Sequence, residues 1–182
     1  MNNEMIKQFM RGVALTVLCQ MLTMTQSGAA TLQESVDEIN SALPALHPIT
    51  WSAPAEKVKV VVFIDNQCIY CSYVVKNVKK YNDAGITMSF LTVAPDAIKD
   101  EVIGDMARVW CSNDPKNSLS KAMAGFLPDN DSTPECVKLV QDQNTLAVRM
   151  GVEAMPTMVV MSSPPAVVLG SVKPEIILKS VR

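Results

Sequence analysis

The stretch from Val58 to Cys71 narrows the folds open to this chain more than any other. Val58 to Ile64 is almost uninterrupted Val, Phe and Ile, the pattern of a strand buried on both faces in a sheet with helices above and below. A parallel sheet is the expected setting. Asp65-Asn66-Gln67 reads as a turn, and Cys71, Val74, Val75 and Val78 then follow helical spacing until Asn82, Asp83 and Gly85 terminate the helix. Ile86 to Val93 is a second β-rich run. Strand, helix and strand make a βαβ unit, whose crossover is expected to be right-handed.

The flanking segments can be read in the same way. Thr31-Leu32-Gln33-Glu34 has the form of a capping box, and Leu32, Val36, Ile39 and Leu43 recur at helical spacing until Pro44, where the helix is expected to stop. Pro44, Pro48 and Pro54 around Trp51 favour extended chain, so residues 44–56 read as an arm or linker. From Pro95 to about Met150 the apolar spacing is helical, divided by Pro115 and Pro134. Thr157–Met161 and Ala166–Leu169 look like two strands joined through Ser162-Ser163-Pro164-Pro165, and Pro174 opens a final helix. The fold class is therefore α/β: βαβ, a helical insertion over about 95–150, then ββα.

The first thirty residues differ in kind. Lys7 and Arg11 precede an apolar stretch from Val13 to Met24, followed by small residues at Ser27 to Ala30, the layout of a cleavable export signal over residues 1–30. A spanning helix needs about 20 apolar residues, and Gln20 interrupts a shorter run, so no stable membrane insertion is expected after cleavage. Cleavage would remove Cys19 and reduce five cysteines to an even set, which can pair completely in an oxidising compartment. A formal net charge of -2 provides no excess positive field for phosphates, which argues against a nucleic-acid partner.

The chemistry is carried by Cys68-Ile69-Tyr70-Cys71, which lies where a buried strand ends and a helix begins. Unpaired N–H groups and the positive dipole end of the first helical turn favour thiolate over thiol. Cys68 is the expected attacking thiol, and Cys71, one turn inside the helix, the resolving one. Ile69 and Tyr70 between them tune the pair, with Asp65 a secondary candidate whose plainer role is to cap the helix. Haem attachment requires histidine after the second cysteine, and Ser72 stands there. Zinc would need Cys111 and Cys136 as further ligands, at a separation unlike the usual knuckle spacing. Those two cysteines fit a structural bridge better, worth roughly 3 to 3.5 kcal/mol by loop-closure entropy. A second shuttle pair would lack both the short spacing and the strand-to-helix setting. His47, the only histidine, has no second histidine to share a metal or a relay and is expected to be solvated or half-packed.

The catalytic portion resembles the DsbC/DsbG family of periplasmic thiol:disulfide interchange proteins. The similarity runs through Val60–Asp65 ahead of Cys68–Cys71, Tyr81–Thr87, Val109-Trp110-Cys111, Ala122–Gly125 and Gly151-Val152-Glu153-Ala154-Met155-Pro156, within residues 31–182. This resemblance implies a thioredoxin-like fold with an inserted helical subdomain, a cis Met155–Pro156 bond facing Cys68, and a structural Cys111–Cys136 disulfide. It also implies that the backbone of Met155, beside Pro156, pairs with substrate chain. Family members commonly carry a small residue after the first cysteine, His after the second and Thr before the cis proline; here these are Ile69, Ser72 and Met155. No counterpart of the family's N-terminal dimerisation domain is expected, and residues 31–43 are expected to correspond only to its linker helix.

The expected function is thus an exported, periplasmic disulfide reductase or isomerase acting on disulfide-containing proteins. It needs no cofactor beyond the redox-active Cys68–Cys71 pair and no metal, and the resemblance implies a membrane thiol donor of DsbD type. Two rivals stand beside it: a DsbA-like oxidase, marked by a potential near -120 mV rather than about -200 mV or lower, and a noncatalytic folding or assembly factor that grips extended chain beside Met155 and Pro156.

Overall fold

The apolar run at Val58–Ile64 forms a strand, β2, in which every residue except Lys59 is buried. A computed structural model describes residues 31–181; the expected export signal of residues 1–30, with Cys19, lies outside the described residues. In the five-stranded sheet β2 is central, in the order β1 (Ile49–Trp51), β3 (Ile86–Thr92), β2, β4 (Thr157–Val160), β5 (Ala166–Leu169). Period-two alternation divides β2 between two apolar layers. Val60, Val62 and Ile64 face one layer with Met88, Phe90, Met158 and Val160, while Val61 and Phe63 face the other with Leu91 and Val159.

The sheet is mixed rather than parallel, as the run of β-branched residues had implied. Only β2 and β3 run parallel, with Val60 opposite Met88; β1–β3, β2–β4 and β4–β5 are antiparallel. The reason lies in the connections. A helical crossover joins β2 to β3 and is long enough to permit parallel strands, whereas the short link from β4 to β5 permits only antiparallel pairing. Helices on both faces bury β2 whatever the direction of its neighbours.

One of those faces is covered by α1 (Leu32–Leu46), whose capping box forms as expected: Glu34 N–H donates to Thr31 Oγ1 at 3.3 Å and Thr31 N–H to Glu34 Oε2 at 2.6 Å. Val36, Ile39 and Leu46 pack with Phe63, Leu91 and Leu146. At roughly 1.5–3 kcal/mol per buried side chain, that contact holds in place a helix that would be marginal alone. The helix does not stop at Pro44 but continues to Leu46, with His47 following in the left-handed region at φ 45°. Pro44 removes one backbone bond in the last turn. Distant side chains satisfy the carbonyls that follow: Gln143 Nε2 donates to Leu46 O at 2.8 Å and Trp110 Nε1 to His47 O at 2.9 Å. His47 itself is exposed.

The segment read as an extended arm contains β1, an edge strand of the sheet. Thr50 and Ser89 share a hydroxyl hydrogen bond of 2.9 Å, and Trp51 meets Phe90 edge to face at 5.4 Å. Beyond β2 the expected single helix is two, α2 (Ile69–Lys76) and α3 (Val78–Asp83). Asn77 breaks it: its side-chain Nδ2 donates to Tyr73 O at 2.8 Å, drawing the turn out of helical geometry at φ −103°, ψ 14°. Gly85 then turns the chain at φ 94°, where a Cβ would lie 2.9 Å from Ala55 O.

The helical insertion comprises a 3₁₀ turn (Asp96–Ile98), α4 (Lys99–Trp110), α5 (Pro115–Ala122) and α6 (Pro134–Arg149). Pro115 and Pro134 each open a helix, where the missing N–H costs nothing. Within α6, the buried Gln143 and Asn144 accept the N–H groups of Thr92 and Ala94 at 2.9 and 2.8 Å, closing the end of β3. The chain finishes in α7 (Pro174–Lys179), and Tyr81 Oη ties the preceding loop by donating to Val172 O at 2.6 Å. Among the described residues no helix is long and apolar enough to cross a membrane.

Candidate active site

At the end of β2 the chain reverses through Asp65, Asn66 and Gln67, and Cys68 becomes the N-cap of α2. Its sulfur accepts the N–H of Cys71 at 3.2 Å, the place that a serine or aspartate oxygen takes at an ordinary helix start. Asp65, the expected cap, closes the turn instead: Oδ1 accepts the N–H of Gln67 at 2.7 Å. Both cysteines are unbonded, Cys68 half-buried and Cys71 fully buried.

This placement makes the two sulfurs unequal. The Cys68 thiol is pulled down to about 7, first by the hydrogen bond from the Cys71 side chain, then, against the cost of burial, by the Cys71 N–H; the nearby Asp65 charge opposes this and the Tyr70 N–H adds to it. Cys71 is pushed well up, first because its thiol donates a hydrogen bond to the Cys68 sulfur and then because it is buried. On ionisation of the pair the proton thus stays on Cys71 and the charge goes to Cys68. Asp65, 2% exposed, has its carboxyl raised by burial, although the Gln67 and Cys68 N–H groups pull the other way.

The second wall of the site comes from far along the chain. Cys68 Sγ lies 3.6 Å from the carbonyl oxygen of Met155, and the Met155–Pro156 peptide is cis. Gly170 N–H donates to Pro156 O at 2.8 Å and Thr157 Oγ1 to Ala154 O at 2.7 Å, so this loop is fastened on both sides of the proline. Ile69 and Tyr70 are 76% and 62% exposed; they contribute nothing to the core and form an apolar rim beside Cys68. Met155 also walls an open cleft of about 370 Å³ with Val93, Pro95 and Val152.

The structure therefore brings together Asp65, Cys68, Cys71, Met155 and Pro156, with Ile69 and Tyr70 at the rim. Cys111 and Cys136 stand apart from the site and are bonded to one another, with Cα atoms 5.9 Å apart. Sequence reasoning missed two contacts of the turn: Asn66 Nδ2 donates to Asp105 Oδ2 at 2.8 Å and Gln67 Nε2 to Glu101 Oε1 at 2.9 Å. No local pattern signals them, because the partners lie on α4.

A buried strand, a helix opened by two unequal thiols and a cis proline facing them define the comparison with known proteins. Residues 49–182 match the thioredoxin-like domain family. The chain belongs to that family. Among curated relatives, this thioredoxin-like protein is 32% identical over 145 residues to the thiol:disulfide interchange protein DsbC of Haemophilus influenzae, covering 80% of this chain and 60% of that one. It is 31% identical over 135 residues to DsbC of Salmonella typhimurium, covering 73% and 56%. The chain thus spans 60% or less of these relatives' length.

Solved thioredoxin-like structures agree in fold. A disulfide interchange protein from Neisseria gonorrhoeae superposes with a TM-score of 0.61 at 22% identity, over 75% of this chain and 98% of that one. Proteus mirabilis ScsC in a transitional conformation gives 0.62 at 18% identity, over 99% and 98%. The α/β, thioredoxin-like fold with a helical insertion, expected from the sequence, is the one observed.

Proposed function

We propose that this protein exchanges thiols with the disulfides of protein substrates, as a reductase or isomerase, with Cys68 attacking and Cys71 resolving. The observation that carries the proposal is the Cys68 sulfur placed as the cap of α2, accepting the Cys71 N–H at 3.2 Å. A thiolate held there is both ionised near neutral pH and accessible.

In the first step the Cys68 thiolate forms a bond to one substrate sulfur while the substrate S–S bond breaks, and the departing sulfur leaves as thiolate and takes a proton. The product is a Cys68–substrate mixed disulfide. In reduction, Cys71 loses its proton and attacks Cys68 Sγ; a Cys68–Cys71 disulfide forms, and the substrate leaves with both sulfurs reduced. In isomerisation another substrate thiol attacks instead, and Cys68 leaves unchanged. The Met155 carbonyl and the apolar rim of Ile69 and Tyr70 are suited to hold extended substrate chain across the sulfur.

Reduction consumes the dithiol, so a donor must restore it; a membrane thiol donor of DsbD type fits that need, as the likeness to DsbC suggests. The same likeness and the pattern of residues 1–30 support export to the periplasm. The test is alkylation of the reduced protein across pH. Reactivity at Cys68 is expected to rise with a midpoint near 7, and the protein should reduce a multi-disulfide substrate; a midpoint at the ordinary thiol value of about 8.5 overturns the proposal. A parallel assay on a scrambled substrate separates isomerase from reductase.

A further inference from the structure

The turn that presents Cys68 is tied to the helical insertion by two side-chain amides. Asn66 reaches Asp105 at 2.8 Å and Gln67 reaches Glu101 at 2.9 Å, and the two acceptors stand one turn apart on the same face of α4. The Gln67 pair is exposed, where water competes with it. The Asn66 pair is half-buried and charge-assisted, the stronger kind of bond.

The setting of Asn66 is informative. Its Oδ1 is buried without a hydrogen-bond partner among the described residues, whereas a turn asparagine usually directs its carbonyl oxygen to a backbone N–H or to solvent. Rotating the amide to relieve that oxygen would turn it against the Asp105 carboxylate. Two residues later, Cys68 Sγ must lie within reach of both the Cys71 N–H at 3.2 Å and the Met155 carbonyl at 3.6 Å. Backbone slack at Asn66 would be passed directly to that sulfur.

We infer that Asp105 is a positioning residue for disulfide exchange: by holding Asn66 it keeps the turn in the geometry that sets the Cys68 sulfur against the Cys71 N–H and the Met155 carbonyl. The inference rests on the exchange role proposed above. It gives the helical insertion a part in the chemistry, because α4 carries both Asp105 and, at its far end, Cys111.

Two variants of the whole protein separate position from charge. Asp105→Ala removes the acceptor; Asp105→Asn removes the charge but leaves an oxygen that can accept from Asn66. Asp65 and Cys71, the other ionisable groups at the sulfur, are untouched in both. For Asp105→Ala the midpoint of Cys68 alkylation is expected to rise, each unit lowering the rate at pH 6 about tenfold, while Asp105→Asn stays within about twofold of the unsubstituted protein.

A fall of the midpoint in both variants would show a role through charge alone and overturn the inference. So would unchanged profiles accompanied by a lower unfolding midpoint. Should Asp105→Ala fail to fold, Asn66→Ala breaks the same bond from the turn side and is expected to give the same upward shift; no shift there also overturns it. An ordinary, slow Cys68 in the unsubstituted protein overturns the exchange reading itself, and is distinguished by appearing before any substitution is made.

Discussion

Two pairs of cysteines in one domain face opposite physical circumstances. Cys68 and Cys71 lie in the first turn of α2, unbonded, with the sulfur of one capping the helix through the N–H of the other. Cys111 and Cys136 lie 25 residues apart, at the end of α4 and in the first turn of α6, and are joined. Closing a loop as small as the first restrains the unfolded chain little, whereas closing the second restrains it by roughly 3 to 3.5 kcal/mol. The helix ends differ as well. Cys68 sits at the positive end of α2, which favours thiolate, while Cys111 caps the negative end of α4, which does not. Cys136, in the first turn of α6, shares the favourable polarity of Cys68 but is held in the disulfide, so spacing rather than helix polarity assigns reactivity to one pair and restraint to the other.

The largest effect that can break this division is loss of the nucleophile. Cys68→Ser is expected to lower substrate reduction by at least about 10³-fold and to leave the unfolding midpoint close to that of the reduced parent. A variant that kept its turnover would show that the capping sulfur is not the attacking one. Next in size is Cys71→Ala, which lacks the resolving thiol. It should form mixed disulfides that persist on non-reducing gels and should lose most net reduction, while retaining single-step attack.

The converse change tests restraint without chemistry. Replacing Cys111 and Cys136 together by Ala should cost about 3 kcal/mol, a fall in Tm of roughly 6–12 °C for a domain of this size. Cys68 alkylation by the folded protein should stay within about twofold. A large loss of reactivity at full folding would mean that the insertion contributes to the site more strongly than Asp105 alone allows.

These same regions show what local sequence carries. The reactive pair was legible because each of its causes is local: seven residues of β2, a three-residue turn and a helix start within one stretch. The opposite wall was not, since nothing near Met155 places it 3.6 Å from Cys68; only the likeness to a known family pointed there. Two of the misreadings share one cause, partners distant in sequence. Pro44 and Pro48 make the chain before Trp51 look like a free arm, yet pairing with β3 makes it an edge strand, and Gln143 and Trp110 carry α1 past its proline. The Asn66–Asp105 bond spans 39 residues and has no local signature at all.

The smallest expected effect sharpens the comparison from inside the reactive pair. Asp65 opposes the Cys68 thiolate by its charge while supporting the turn through the Gln67 N–H; Asp65→Asn keeps an acceptor oxygen and removes the charge. The Cys68 alkylation midpoint should therefore move below 7 by a fraction of a unit, about a twofold change in rate at pH 6. Stability supplies an independent sign. Burial raises the Asp65 carboxyl, so in the parent its favourable share is complete below the unfolded carboxyl value, near 3.9, and is lost as pH rises through the higher folded value. Asn escapes that loss. Chemical unfolding should find the variant more stable than the parent at pH 7 and the gap closing towards pH 3; a variant less stable at pH 7 would mean that the ionised carboxylate holds the turn more tightly than its burial penalises it.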